Sequence, residues 1–252
     1  MIANYHSIET FSGVDGPGIR YVLFLQGCNL RCKFCHNADT IPHVKNKMIS
    51  VSEVVEDYLK YKDFYGRGGG ITISGGEPLL QTNFIISLFT ELKKHNVHTC
   101  IQTQGTLYTD HPKYKKLVEL TDLFMVDLKG VDDQYALSIC GSGVSSTLRF
   151  LKYLNENNRK FCISYVLLPG INDNDYCVDR LANILKDFNP MNMSFKVAPY
   201  HRLGVQKWAK LNIKYQLEDL AEATHEDVEM FVRKIETKAS TIDSTLTLTL
   251  DS

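Results

Sequence analysis

The sequence predicts an α/β fold with a parallel sheet covered by helices. Three observations predict it. Short apolar, β-rich runs alternate with helix-patterned segments along most of the 252 residues. The runs are apolar throughout, as strands buried on both faces are. Polar, chemistry-bearing residues follow the carboxyl ends of the runs, where such folds collect their sites. Six strand–helix units are too few for a closed eight-unit barrel of about 250 residues. A partial barrel and an open doubly wound sheet both fit.

The elements follow in chain order. Residues 20–26 (RYVLFLQ), 70–74, 97–103, 123–127, 161–167 and 193–197 read as strands. Residues 51–65 read as a helix with Ser52 as N-cap and Val54, Val55, Tyr58, Leu59 and Tyr61 on its apolar face. Residues 82–95 carry Phe84, Ile85, Leu88, Phe89 and Leu92 on one stripe. Further helices are predicted over 112–120, 146–157, 175–188 and 224–235. One domain is expected over 1–236. The remaining 237–252 are Ser/Thr-rich with a Leu-Thr alternation, as in a frayed terminus or a short edge strand, and carry no assigned function.

Composition excludes several classes. The 28 Lys and Arg offset 29 Asp and Glu, for a formal charge of −1. That balance argues against a polyanion binder, because backbone affinity for nucleic acid comes from cationic side chains. No apolar run is long enough to span a bilayer, and residues 1–6 have no secretory pattern. A cytoplasmic protein is expected, with no nucleic-acid or membrane partner. Seven cysteines, an odd number without a leader, point to metal or redox chemistry rather than a disulfide scaffold.

Three of the seven lie within one short run, Cys28, Cys32 and Cys35, spaced C-x3-C-x2-C. A [4Fe–4S] cluster is usually held by four thiolates. Three in one loop would leave one iron open to a small molecule, which is a catalytic arrangement. A Cys3His zinc site through His36 is the bland alternative, but His36 directly follows Cys35 and joint ligation is awkward. Cys100, Cys140, Cys162 and Cys177 read as small buried hydrophobes.

C-x3-C-x2-C after the first strand, followed by Gly75-Gly76-Glu77-Pro78 after the second, resembles the radical S-adenosylmethionine (SAM) superfamily. That resemblance selects the partial (β/α)6 barrel of the TIM type. The match narrows at Asp15-Gly16-Pro17-Gly18-Ile19-Arg20, Cys35-His36-Asn37, Asp127-Leu128-Lys129, Leu168-Pro169-Gly170, the run Pro199–Gly204 and Lys207-Trp208. These residues resemble the activases of glycyl radical enzymes of the pyruvate formate-lyase type. No further cysteine falls between 36 and 74, so the ferredoxin-like insert of many other activases is absent.

The resemblance implies a chemistry. Cys28, Cys32 and Cys35 hold a [4Fe–4S] cluster, and SAM completes the fourth iron. An electron from a flavodoxin-type donor cleaves SAM to a 5′-deoxyadenosyl radical. The radical removes a Cα hydrogen from one glycine of pyruvate formate-lyase or another glycyl radical enzyme, in anaerobic metabolism. It also implies SAM contacts at Phe34, Cys35, His36, Gly75, Gly76, Glu77, Asp127, Leu128, Lys129 and His201. Glycine suits the Gly75-Gly76 turn because backbone must approach the ligand closely. Asp15 is implied to meet the substrate peptide.

Two departures stand out. Gln102 replaces an aspartate that helps hold a monovalent cation beside SAM, with Thr103, Met125 and Asp127 at the other positions, so a weakened cation site is expected. Ser164 stands where an arginine is common. Two alternatives remain: a radical SAM enzyme acting on a small molecule such as a deazapurine precursor, and a zinc-stabilised protein-binding domain.

Overall fold

The computed structural model describes residues 1–240. The chain groups into two compact units, Met1–Asn29 with Thr40–Met125, and Leu30–Asp39 with the chain from Val126 onward.

In the first unit, β1 (Ile2–Ser12) runs antiparallel to β2 (Arg20–Leu25) and to β3 (Lys47–Ser50). Helices α1 (Val51–Lys60) and α2 (Lys62–Tyr65) follow. β4 (Gly70–Gly75) lies parallel to β2, with Arg20 opposite Gly70 and Leu25 opposite Gly75. After α3 (Thr82–Lys93), β5 (His98–Thr103) lies parallel to β4, and α4 (Pro112–Leu120) follows it. The strand order here is β3-β1-β2-β4-β5. Parallel register aligns the carboxyl ends of β2, β4 and β5, so the loops after them share one end of the sheet.

Local chemistry explains these elements. The stripe expected on α3 is buried, and each such side chain contributes about 1.5–3 kcal/mol when fully covered. The N-cap of α1 is Ser50, not Ser52. Ser50 accepts from the Glu53 N–H while the Glu53 carboxylate returns to the Ser50 N–H, a capping box that Ser52 could not form. The single helix expected over 51–65 breaks at Tyr61, whose φ, ψ of −114° and 8° leave the helical range. Arg20 is fully buried, and its guanidinium donates to Thr72 Oγ1 (3.0 Å), the carbonyls of Pro17 and Ile71, and His98 Nδ1 (3.2 Å). It ties the 13–18 turn to β4 and β5.

The chain enters the second unit within β6 (Leu123–Asp127). There α5 (Asp133–Cys140) and α6 (Ser145–Glu156) precede β7 (Lys160–Leu167). After α7 (Asp175–Leu185), β8 (Met193–Pro199) pairs parallel to β7 with Phe161 opposite Met193. α8 (Val205–Lys210) and α9 (His225–Ser240) complete the described chain. α9 runs past residue 236. The Leu-Thr alternation expected to form a tail element lies outside the described residues.

All six expected strands form. Among the described helices, none is long and apolar enough to cross a membrane.

Candidate active site

In the first unit, the chain leaves β2 through Gln26 and Gly27 into Cys28. Its backbone is fixed there by the returning segment. Gly27 N–H donates to Thr40 O (2.8 Å) and Cys28 N–H to Ile41 O (3.1 Å). His43 Nε2 donates to Cys28 O at 2.9 Å. The Cys28 thiol takes part in none of these bonds.

The Gly75-Gly76-Glu77 turn locks onto the same stretch. Gly76 N–H donates to Leu25 O (3.0 Å) and Glu77 N–H to Gly27 O (2.8 Å). A Cβ on Gly75 would lie 2.2 Å from Leu25 O, and one on Gly76 2.1 Å from Gly27 O. The glycines are therefore required by the neighbouring strand's backbone. The turn thereby lies close against the chain that leads from β2 into Cys28.

Glu77 is only 1% exposed. Its Oε1 accepts from Leu79 N–H (2.9 Å) and Thr103 Oγ1 (2.5 Å), and its Oε2 from Gln104 N–H (3.1 Å). Burial pushes its carboxyl above the usual range, against the pull of those donors. The carboxylate is committed to the turn and caps the short helix Pro78–Gln81. What Glu77 can offer a ligand is loop geometry, not charge.

The residues expected to hold a cation are also engaged. Gln102 Oε1 accepts from Ser74 Oγ at 3.1 Å, and Thr103 Oγ1 bonds Glu77 and the Gly105 N–H. Met125 is buried. Asp15 stands apart from this group, before the amino end of β2 rather than beyond its carboxyl end. Its carboxylate accepts from Ser12 Oγ (2.5 Å) and its carbonyl from Thr72 Oγ1 (2.7 Å). The six residues of β2 separate Asp15 from the Cys28 end, roughly 20 Å at strand rise.

The second unit contains Cys32, Phe34, Cys35, His36, Asp127, Leu128, Lys129 and His201. Cys35 N–H donates to Cys32 O (3.1 Å). Burial pushes the Cys35 thiol up to about 11, and a hydrogen bond with Cys140 together with burial raises Cys32. Phe34 is buried, and the Lys129 ammonium lies 5.3 Å above its ring. Lys129 also pairs with Asp127 Oδ2 at 3.1 Å. Burial opposes its charge, but Asp127 and the Cys32 and Cys140 sulfurs outweigh burial and raise its pKa. Leu128 is buried, and its N–H is spent on Ser164 O (2.8 Å).

A segment beyond β8 grips the cysteine loop. His36 Nε2 donates to His201 O at 2.9 Å, and the two imidazoles stack at 3.8 Å. Burial lowers the His36 pKa. Trp208 Nε1 donates to Cys35 O (2.9 Å), and Lys207 Nζ reaches Asn37 Oδ1 (3.0 Å) and Asp39 Oδ1 (3.3 Å). A Cβ on Gly204 would sit 2.6 Å from His36 Cα. The sequence singles out Lys207-Trp208 only as part of a pattern; its contact with Cys35 is a tertiary fact.

The donor set fits an iron–sulfur cluster and a polar ligand. Cys28, Cys32 and Cys35 lie on one short loop, and none of them is in a disulfide. His201 Nδ1 is buried without a hydrogen-bond partner, an acceptor or donor awaiting one. Among the described residues, no three His, Cys, Asp or Glu side chains are gathered to hold one metal ion.

Residues 22–178 match the family model of the radical SAM superfamily, and the chain belongs to that superfamily. Within it, the chain is 39% identical to the pyruvate formate-lyase-activating enzyme of Staphylococcus epidermidis over 91% of its own length and 94% of the relative's. The enzyme of that name from Staphylococcus aureus is 38% identical over 92% and 95%. Among solved structures, Streptococcus suis SuiB bound to its precursor peptide SuiA superposes with a TM-score of 0.66 at 20% identity. That match covers 97% of this chain and 50% of SuiB, and shows the shared fold. Membership in the superfamily implies a [4Fe–4S] cluster and SAM.

Proposed function

We propose that this protein is a pyruvate formate-lyase-activating enzyme whose Cys28, Cys32 and Cys35 hold the cluster. The observation that carries the assignment is the interlock of two loops: the Gly75-Gly76-Glu77 turn bonds directly to the backbone that delivers Cys28. Close similarity to curated activases over nearly the whole chain supports pyruvate formate-lyase as the partner.

Held at Cys28, Cys32 and Cys35, the cluster with SAM would supply the one-electron reductive chemistry that removes a hydrogen atom from a glycine Cα. The chain's own residues bind and orient. The Gly75-Gly76-Glu77 turn, fixed by the buried Glu77 carboxylate, presents backbone to the methionyl amino group. Lys129, held by Asp127, supplies positive charge for the methionyl carboxylate. Phe34, His36 and the unpaired Nδ1 of His201 serve the adenosyl portion. Asp15 serves a substrate peptide at the amino end of β2. A monovalent cation would have to compete with Ser74 for Gln102, so its binding is weak. A flavodoxin-type donor, a cytoplasmic setting and anaerobic metabolism complete the reading, with no nucleic acid or membrane as partner.

Anaerobically reconstituted protein, given SAM, a reductant and pyruvate formate-lyase, is expected to produce the doublet EPR signal of a glycyl radical on the lyase. SAM cleavage without that doublet would favour a small-molecule substrate. Zinc binding with no SAM-sensitive [4Fe–4S] signal would sink both enzyme readings.

A simpler optical check is available. Trp208 is the single tryptophan of the chain, and its indole N–H is bonded to Cys35 O. An iron–sulfur chromophore on Cys35 would accept its excitation energy. Cluster assembly is expected to quench most of the tryptophan emission, and chelation to restore it. Emission indifferent to iron loading would contradict the placement of the cluster beside Trp208.

A further inference from the structure

In the first unit, residues 43–48 lead into β3 and every one of them is exposed. The run is nonetheless tied down. Asn4 Nδ2 donates to Val44 O (2.8 Å), Asn46 N–H to Asn4 Oδ1 (2.8 Å) and Asn46 Nδ2 to Gln26 Oε1 (3.0 Å). The exposed His43 ring donates to Cys28 O. Beside that ring lies a cavity of about 470 Å³ whose walls include Val44, Lys45, Met48 and Leu80. Val44, Met48 and Leu80 are 55%, 48% and 40% exposed. A Cβ on Gly27 would lie 3.4 Å from His43 Nδ1 and 3.5 Å from Leu80 Cδ1, so the cavity backs onto the residue before Cys28. Among the described residues that line it there is no aspartate or glutamate. Lys45 lines it, and the exposed Lys47 follows two residues on.

This inference rests on the cluster assignment above. We propose that this face, centred on Val44, Met48 and Leu80 and edged by Lys45 and Lys47, docks the protein that delivers the electron: a one-electron carrier with carboxylates around its redox group.

Three features select that occupant. First, the face meets Cys28 through its carbonyl and the His43 ring, while the thiol takes no part in the contact. That is a route for an electron, not an opening for a substrate backbone. One electron leaves the carrier, which is oxidised by one, and the cluster gains it; no bond forms or breaks. Second, a small apolar centre with a charged rim is the pattern of a transient contact, and redox encounters bury less than about 1,200 Å². Third, the rim is cationic and the lining holds no carboxylate, so an acidic carrier is attracted and a basic one repelled. The hydrogen bonds that hold the run reduce the ordering that docking would otherwise require.

The test measures binding directly. Calorimetry of the reconstituted protein with an oxidised flavodoxin gives Kd at low salt and at about 1 M salt, where the Debye length is about 3 Å. The double variant Lys45→Glu with Lys47→Glu is expected to weaken Kd by about tenfold or more at low salt, and the difference should largely vanish at high salt. Val44→Ser should weaken binding at both. The rate of cluster reduction by reduced flavodoxin should fall with the affinity, while reduction by dithionite, iron content and SAM binding stay at wild-type values. If the double glutamate variant loads poorly, Lys45→Gln with Lys47→Gln keeps the surface polar and meets the same expectation with a smaller shift. Unchanged affinity for the carrier overturns the inference. So do variants that alter self-association or affinity for the lyase but not for the carrier. If wild type assembles no SAM-sensitive cluster, the proposed function itself fails; a cluster that dithionite reduces, with carrier binding indifferent to these residues, sinks the docking surface alone.

Discussion

Replacing any one of Cys28, Cys32 or Cys35 by alanine is expected to abolish cluster loading while leaving the fold in place. The reason lies in how the loop is held. Cys28 is fixed by its N–H on Ile41 and its carbonyl on His43. Cys32 is flanked by the bonds of Arg31 and Lys33 to α5. Cys35 is held by its N–H on Cys32 O and its carbonyl under Trp208. None of these bonds uses sulfur, so each thiol can be removed without releasing the backbone. Iron content should fall from a full cluster toward zero. SAM cleavage should fall by at least ~10³-fold, a small part of the 10⁶-fold or greater acceleration typical of enzymes. Circular dichroism should be unchanged. Cys177→Ala is the control, a buried cysteine outside the loop, and should keep its iron. Iron analysis and anaerobic SAM cleavage decide the matter, and a loop variant with full iron and activity would refute the ligand assignment.

Gly76→Ala is expected to be nearly as damaging, by a different route. Its Cβ would stand 2.1 Å from Gly27 O, 2.6 Å from Gly27 C and 3.0 Å from Thr40 O. All three are backbone atoms, so no side-chain rotation relieves the clash. Gly27 must move, and Cys28 moves with it. A strained-backbone change of this kind destabilises by ~3 kcal/mol. That corresponds to a fall in Tm of roughly 6–12 °C for a chain of this size. Cluster loading should drop in parallel, although no ligand has been touched. Gly13→Ala, which meets nothing within 4 Å, is the matched control and should be neutral. Thermal unfolding and iron content of the two variants separate the outcomes. A Gly76→Ala protein as stable and as fully loaded as Gly13→Ala would refute the interlock.

The parallel framework was legible because its strands are apolar throughout and bounded by turns. β1 was not, because its burial is intermediate along most of its length and no alternation results. β3, at four residues, is too short to carry a period. The cysteine spacing is local and was legible. Its surroundings were not, because they are made by distant chain. Cys140 reads as an ordinary small hydrophobe, and only the fold shows its carbonyl taking the Arg31 N–H beside Cys32. Cys162, expected to be buried, is half-exposed on β7. The glycine turn was recognisable as a motif, but its physical cause was not. Spacing cannot say whether a missing Cβ makes room for a ligand or for a neighbouring strand. The Glu77 carboxylate likewise looks available in a sequence and is fully spent in the fold.

The grip of the 199–210 segment on the cysteine loop has a consequence for timing. The bonds from His36, Asn37 and Cys35 to that segment span 165, 170 and 173 residues. At 5–20 residues per second, the ribosome needs roughly ten to thirty-five seconds between making the cysteines and making Trp208. A nascent chain in that interval presents three thiols whose Cys35 arm has no latch. Iron delivered early would meet a floppy chelator, and iron delivered after termination a preformed one. Cells making this protein thus gain from handing over the cluster only once the chain has left the ribosome.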